Sequence, residues 1–218
     1  MFQKISEVEL YRNNVISIVK ALFSTGDGSV FERDVVRHLG AVSIVPLLAD
    51  NRSVLLLSQF RASLGKNLIE VPAGKRDVAN EPPQITAVRE LEEEMGLRCS
   101  ELIKLGEFEN SPGFTDEHSF SYLARGLTFG QMAPQSVEEV ESSIVSVELS
   151  KVEGLISAGI ISDAKTIIGL ARVEDYLSSD ARDRDALYPI AWSDHESPCE
   201  KLADSDEVIS WSRTLPEL

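Results

Sequence analysis

The sequence predicts an α/β fold: a mixed sheet sandwiched between helices, preceded by a small antiparallel β unit. Two observations lead there. Short runs rich in Val, Ile and Leu recur between residues 7 and 150, and two helical stretches, one near residues 82–95 and one after residue 150, flank them. Strands interleaved with helices in this way bury both faces of a sheet under helical layers.

Taken in order, residues 7–24 (EVELYRNNVISIVKALFS) and 29–37 (SVFERDVVR) read as short strands around the turn signal TGDG at 25–28. The pair is too small a sheet to stand alone and needs a surface to cover it. AVSIVPLLAD (41–50) and SVLLLSQFR (53–61), separated by Asp50, Asn51 and Arg52, read as a hairpin within the main sheet. LIEVP (68–72) is a further short strand leading into a glycine loop. Beyond Gly96, the stretches 101–110, 118–127 and 142–150 are strand candidates. A final helix in two pieces follows, LSKVEGLISAG and DAKTIIGLARVEDYL, the second with Asp163 as N-cap. The segments divide as 1–38, an N-terminal β unit; 39–177, the main domain; and 178–218, an acidic extension. The last reads as weakly structured, with Trp192 and Trp211 as possible anchors.

Composition narrows the function classes. With 43% hydrophobic and 26% charged residues among 218, the chain is globular. No apolar run approaches the ~20 residues that span a bilayer, and the start MFQKISEVELYRNN has no apolar signal core. Cys99 and Cys199 make neither a disulfide framework nor a zinc pattern, so a reducing, cytoplasmic setting is expected. A net charge of −15 argues against a nucleic-acid partner. Residues 33–76 nevertheless carry seven bases against three acids, a place for a small anion, whereas the stretch after Leu177 carries ten acids and four bases.

The most informative stretch is GKRDVANEPPQITAVRELEEEMGL (74–97). At 100° per residue, Glu90, Glu93 and Glu94 leave one side of a helix and Val88, Leu91 and Met95 the other. Pro82 and Pro83 suit the helix start and Gly96 its left-handed end. Like charges one turn apart oppose folding unless cations or Arg89 neutralise them. Mg²⁺ is a fitting neutraliser, since it takes hard oxygen ligands and bridges carboxylates to substrate phosphates.

These residues resemble the Nudix box, Gx5Ex7REUxEExGU with U a bulky aliphatic residue. Glu81, Arg89, Glu90, Leu91, Glu93, Glu94, Gly96 and Leu97 match it in register, while six residues rather than five separate Gly74 from Glu81, a one-residue lengthening of the loop. Two more segments resemble the ADP-ribose pyrophosphatase branch. They are SPGFTDE (111–117), with Pro112 sixteen residues after Gly96, and SQFR followed by LIEVPAGK ahead of the box.

The resemblance implies a Nudix-type α/β/α sandwich and a Mg²⁺-dependent hydrolase of ADP-ribose, yielding AMP and ribose 5-phosphate. The neighbouring expectations are a broader nucleoside-diphosphate-sugar pyrophosphatase or a non-catalytic sensor of ADP-ribose. It implies that Glu90, Glu93 and Glu94, with the Ala73 carbonyl, hold two or three Mg²⁺ ions, for which Mn²⁺ can substitute. Arg89 would orient those carboxylates, and Glu81 would support the loop. Arg61 and Arg33 would contact diphosphate or ribose, Glu70 would read the adenine, and Pro112 would mark the substrate loop. A loop glutamate would position or deprotonate the attacking water. Glu141 is the first choice and Glu139 the second, with Glu138 a further candidate, while Glu117 would order its loop or support the metal. A homodimer whose N-terminal strands pack on the partner is also implied. His38, His118 and His195 lack metal-ligand spacing and read as structural.

Overall fold

The computed structural model describes residues 1–193 and 201–218, the side chains of residues 193 and 201–206 excepted. Three antiparallel strands open the chain, β1 (Gln3–Arg12), β2 (Ile16–Ser24) and β3 (Val30–His38), ordered β1-β2-β3. The expected single strand over 7–24 is therefore two. The break falls at Asn13, whose Oδ1 accepts from the amides of Val15 and Ile16 at 2.8 Å, closing an Asx turn inside an otherwise strand-like run.

The main body holds two further sheets. One has five strands in the order β11-β8-β9-β4-β7, the other three in the order β10-β5-β6. Their ranges are β4 (Ala41–Pro46), β5 (Ser53–Arg61), β6 (Lys66–Glu70), β7 (Ala73–Lys75), β8 (Leu97–Glu109), β9 (His118–Phe129), β10 (Ser143–Glu148) and β11 (Ile190–Ser193). The expected hairpin of β4 and β5 does turn at Asp50–Arg52, with Asn51 left-handed at φ 53°. Its two strands then diverge past the Leu47–Val54 bridge and join different sheets.

Both strands are buried on both faces, which is why their sequences run continuously apolar instead of alternating. Val42, Ile44, Leu55 and Leu57 enter one core with Ala87, Leu91 and Met95 of helix α1 (Pro83–Met95). Val45, Leu47, Val54 and Leu56 enter a second core with Leu170, Val173 and Tyr176 of helix α4 (Ala164–Ser178). Helices thus cover the sheets from two sides, the α/β/α arrangement expected. Asp163 caps α4, accepting from the Thr166 amide at 2.9 Å, and the short α3 (Val152–Ser157) precedes it.

The acidic segment after residue 177 departs from the weakly structured expectation. It forms α5 (Ala181–Leu187), β11 and α6 (Lys201–Ser212), and β11 pairs antiparallel with β8. α6 packs on β9 with Val208 fully buried, and Trp211 meets Phe129 edge-on at 5.5 Å. Beyond it, Pro216 and Leu218 hydrogen-bond to the open edge of β10 at Ser146. Val208, Ile209, Trp211 and Leu215 form an apolar stripe that the segment's net charge masked. Among the described residues no helix is long and apolar enough to cross a membrane.

Candidate active site

α1 begins where Pro82 (φ −62°, ψ 142°) leaves extended backbone, and it ends at Gly96 in the left-handed region (φ 64°), whose amide returns to the Glu92 carbonyl. Its apolar side buries Leu91 and Met95. The opposite side carries Glu90, Glu93 and Glu94 into a cleft of about 790 Å³. The lengthened loop ahead of it folds into a turn in which Glu81 N donates to Val78 O at 3.2 Å and Asn80 takes a left-handed φ of 63°. Glu81 still reaches Thr86 Oγ1 (2.8 Å) and Arg89 Nη2 (3.4 Å), so the added residue leaves the helix start in place.

Arg89 is the hub of the wall. Its Nη1 lies 3.0 Å from Glu90 Oε1 and 3.0 Å from Glu93 Oε2, while Nη2 faces Glu81 and, at 3.5 Å, Asp77. Glu94, 5% exposed, accepts from the Ala73 amide at 2.9 Å. One arginine does not offset so many carboxylates. Burial, with Glu93 and Asp77 adding repulsion against Arg89, pushes Glu90 up to about 7. Burial, reinforced by Glu90 and Glu139, pushes Glu94 up to about 8 despite the Ala73 amide and Arg61.

The donor set of three carboxylates and a backbone carbonyl at Ala73 is the kind a hard divalent cation takes, and the raised Glu90 and Glu94 mark a place short of positive charge. Among the described residues no group of three such side chains is already converged on one ligating point. Arg89 Nη1 stands between Glu90 and Glu93, and the Ala73 amide engages Glu94.

The remaining expected residues separate into two groups. Arg61 lies on the opposite wall, and Glu139 and Glu138 reach the cleft from the short helix α2 (Val137–Val140). Ser136 also caps α2, its Oγ accepting the Glu139 amide at 3.2 Å and donating to the Glu139 carboxylate at 2.9 Å. Glu141, the first choice from sequence, is the exposed C-terminal residue of α2 and does not line the cleft. Two positions beyond Glu139, about 200° around the helical turn, it faces away from that residue.

Glu70 is likewise outside the lining: it is 1% exposed and holds Arg61 through two 2.7 Å hydrogen bonds. Arg33 is exposed on β3, with its guanidinium over Phe31, in a different sheet from the cleft. Pro112 is exposed in a loop docked on β3 through the Val36 amide and the Phe114 carbonyl (2.8 Å). Glu117 stays with that loop. His118 pairs with Glu109 (2.9 Å) and Glu107, outside the cleft, and the Glu109 contact raises its pKa. His38 accepts from the Gly40 amide, and His195 and Cys199 lie outside the described residues.

Asp77, Gln135 and Ser136 line the cleft without an expected role, and Gln59 and Phe60 do so within the SQFR element, where only Arg61 was given one. Alternation along β5 could have offered Gln59 beside Arg61. Asp77 sits in the loop whose path no periodicity gives.

The NUDIX domain profile matches residues 37–167. The chain is 33% identical over 183 residues to the ADP-ribose pyrophosphatase of Mycobacterium tuberculosis, covering 84% of this chain and 88% of that protein. It is 32% identical over 162 residues to the methanol dehydrogenase activator of Bacillus methanolicus, covering 74% and 86%. The crystal structure of an ADP compounds hydrolase superposes with a TM-score of 0.72 over 84% of this chain and 96% of that one; at 18% identity it speaks to the fold.

Proposed function

Since the chain belongs to the Nudix family, as a Nudix hydrolase of the ADP-ribose-pyrophosphatase-like branch, we propose that it cleaves the diphosphate of ADP-ribose to AMP and ribose 5-phosphate. The observation that carries this reading is the cleft itself. Glu90, Glu93 and Glu94 stand on one wall, Arg61 on the other, and Glu138 and Glu139 at the rim of a space sized for a nucleotide sugar.

A diphosphate resists attack because its oxygens repel a nucleophile. Glu90, Glu93, Glu94 and the Ala73 carbonyl would hold Mg²⁺, which would supply charge neutralisation and a more acidic water when bound. Arg61 offers its guanidinium to a phosphate oxygen. Arg89 keeps Glu90 and Glu93 from collapsing onto other donors. Glu139 takes the proton of the attacking water as the new P–O bond forms and the bridging P–O bond breaks, its electrons leaving with the departing phosphate oxygen.

The working setting is cytoplasmic and the assembly a homodimer built on the N-terminal sheet. A broader nucleoside-diphosphate-sugar range is the near alternative. A sensor that regulates a partner is the distant one, favoured by the activator relative and disfavoured by the complete set of box glutamates. The purified protein, given ADP-ribose, ADP-glucose, NADH and GDP-mannose with and without Mg²⁺, should turn over ADP-ribose fastest and only with the metal. Another substrate far ahead of it would favour the broader range. Unchanged turnover in Glu93→Gln would favour the sensor.

A further inference from the structure

Arg61 does not stand alone on its wall. Its Nε and Nη2 donate to Oε1 and Oε2 of Glu70 at 2.7 Å each, a fork-to-fork pair, and Glu70 is 1% exposed. Behind Glu70, Lys165 Nζ stands 3.8 Å from Oε2 and is itself 2.8 Å from Asp163 Oδ1. Asp163 caps α4 through the Thr166 amide and hydroxyl, and Thr166 Oγ1 accepts the amide of Val71, the residue after Glu70. Side chain and backbone at position 70 are therefore both fixed from the start of α4. The four charges Arg61, Lys165, Glu70 and Asp163 cancel, so the cluster can be buried without leaving an unpaired ion.

The pairing leaves Nη1 as the part of the guanidinium whose N–H groups are uncommitted, and Arg61 borders the cleft. Glu70 has no such access. We infer that Glu70 is a positioning residue, anchored to α4 by Lys165 and Asp163, that holds Arg61 at the angle a diphosphate needs and takes no part in reading the base. This rests on the proposed nucleoside-diphosphate-sugar substrate.

Removing the Glu70 charge frees the guanidinium to rotate, which costs transition-state orientation, while making the wall more positive toward phosphate. A base-reading residue would behave otherwise, raising KM for one base and sparing another.

The test measures kcat and KM of Glu70→Gln, Glu70→Asp and Arg61→Ala, and of the Arg61→Ala/Glu70→Gln double variant, on ADP-ribose and GDP-mannose. Alongside, NMR follows exchange of the Arg61 Nε proton. Glu70→Gln should lower kcat about tenfold on both substrates without raising KM, with Glu70→Asp showing the same split more weakly. In the Arg61→Ala background the second change should add less than about twofold. The Nε proton should exchange slowly in the wild type and quickly in Glu70→Gln.

A change confined to one base, additive losses in the double variant, or a fast-exchanging Nε proton in the wild type would overturn the inference. A wild type inert on every nucleoside diphosphate sugar would instead overturn the proposed function. The Nε readout, which needs no turnover, would still decide the pairing.

Discussion

Gly74 presses against Glu90 so closely that a methyl group built on its Cα would overlap the Glu90 carboxyl. The glycine is required by approach, since its own φ is not left-handed. Gly74→Ala should therefore displace the carboxylate while sparing the fold, because a side-chain end can swing where backbone cannot. Turnover is expected to fall about 100-fold, the cost of misplacing a reacting group by about an ångström, with little change in thermal midpoint. Steady-state kinetics beside a melting curve checks this, and near-wild-type turnover would show that Glu90 need not stay where it is.

The raised pKa values of Glu90 (about 7) and Glu94 (about 8) set a sign for pH dependence. Above the ordinary carboxylate range the unfolded chain has lost these protons and the folded chain retains them. Metal-free stability should therefore decline as pH rises from about 4.5 to 8. A bound cation displaces the same protons, so its affinity rises across pH 7–8. Thermal melts with Mg²⁺ and with a chelator should diverge more at pH 8.5 than at pH 6. Equal Mg²⁺ shifts at both values would mean that neither carboxylate takes part.

α1 was legible because three independent signals coincide on it: the prolines at its start, the glycine at its end, and carboxylates and apolar residues on opposite sides. β4 and β5 were legible as strands but not as members of two sheets, since an apolar run states that both faces are buried and not what buries them. The turn at Asn13 was hidden because β-branched residues resume two positions later. Glu70 resembles an adenine-reading position in sequence, which cannot show the arginine folded back onto it. The tail misled through its charge: ten acids obscure the spacing of Val208, Trp211 and Leu215, which pack against one core.

Glu139 and Glu141 are separated by one residue, Val140, and by opposite surroundings, one bordering the cleft and one in solvent. Glu139→Gln keeps the Ser136 N-cap, since an amide oxygen can still accept from the Ser136 hydroxyl and the residue's own amide still donates to it, and so removes the base without unwinding α2. kcat should drop by about 100-fold or more, while Glu141→Gln stays within about twofold. Should Glu141→Gln be the damaging change, α2 must rearrange when substrate binds.

Trp211 anchors α6 to the sheet through Phe129, and Pro216 and Leu218 extend from the same helix to the edge of β10. Trp211→Ala removes a half-buried aromatic and should cost about 2 kcal/mol in urea unfolding, below the range for a fully buried tryptophan. A loss under about 0.5 kcal/mol would mean that the acidic segment folds independently of the domain beneath it.

β1 has ten residues and none is buried, although Ile5, Val8, Leu10 and Tyr11 are large and apolar. Its outer edge is unpaired within the sheet, whereas β3 is covered by the Thr115 loop. An open apolar edge of this length invites pairing with another chain, and a three-stranded sheet gains stability by burying a face. A second copy of this chain is the occupant that the proposed homodimer supplies. Light scattering should give about twice the 24.0 kDa chain mass. Val8→Glu combined with Leu10→Glu puts two charges on the contact and should halve that mass while the cleft residues stay in place. A wild type that scatters as a single chain, or a double variant that keeps the full mass, would move the contact elsewhere and leave β1 exposed for another reason.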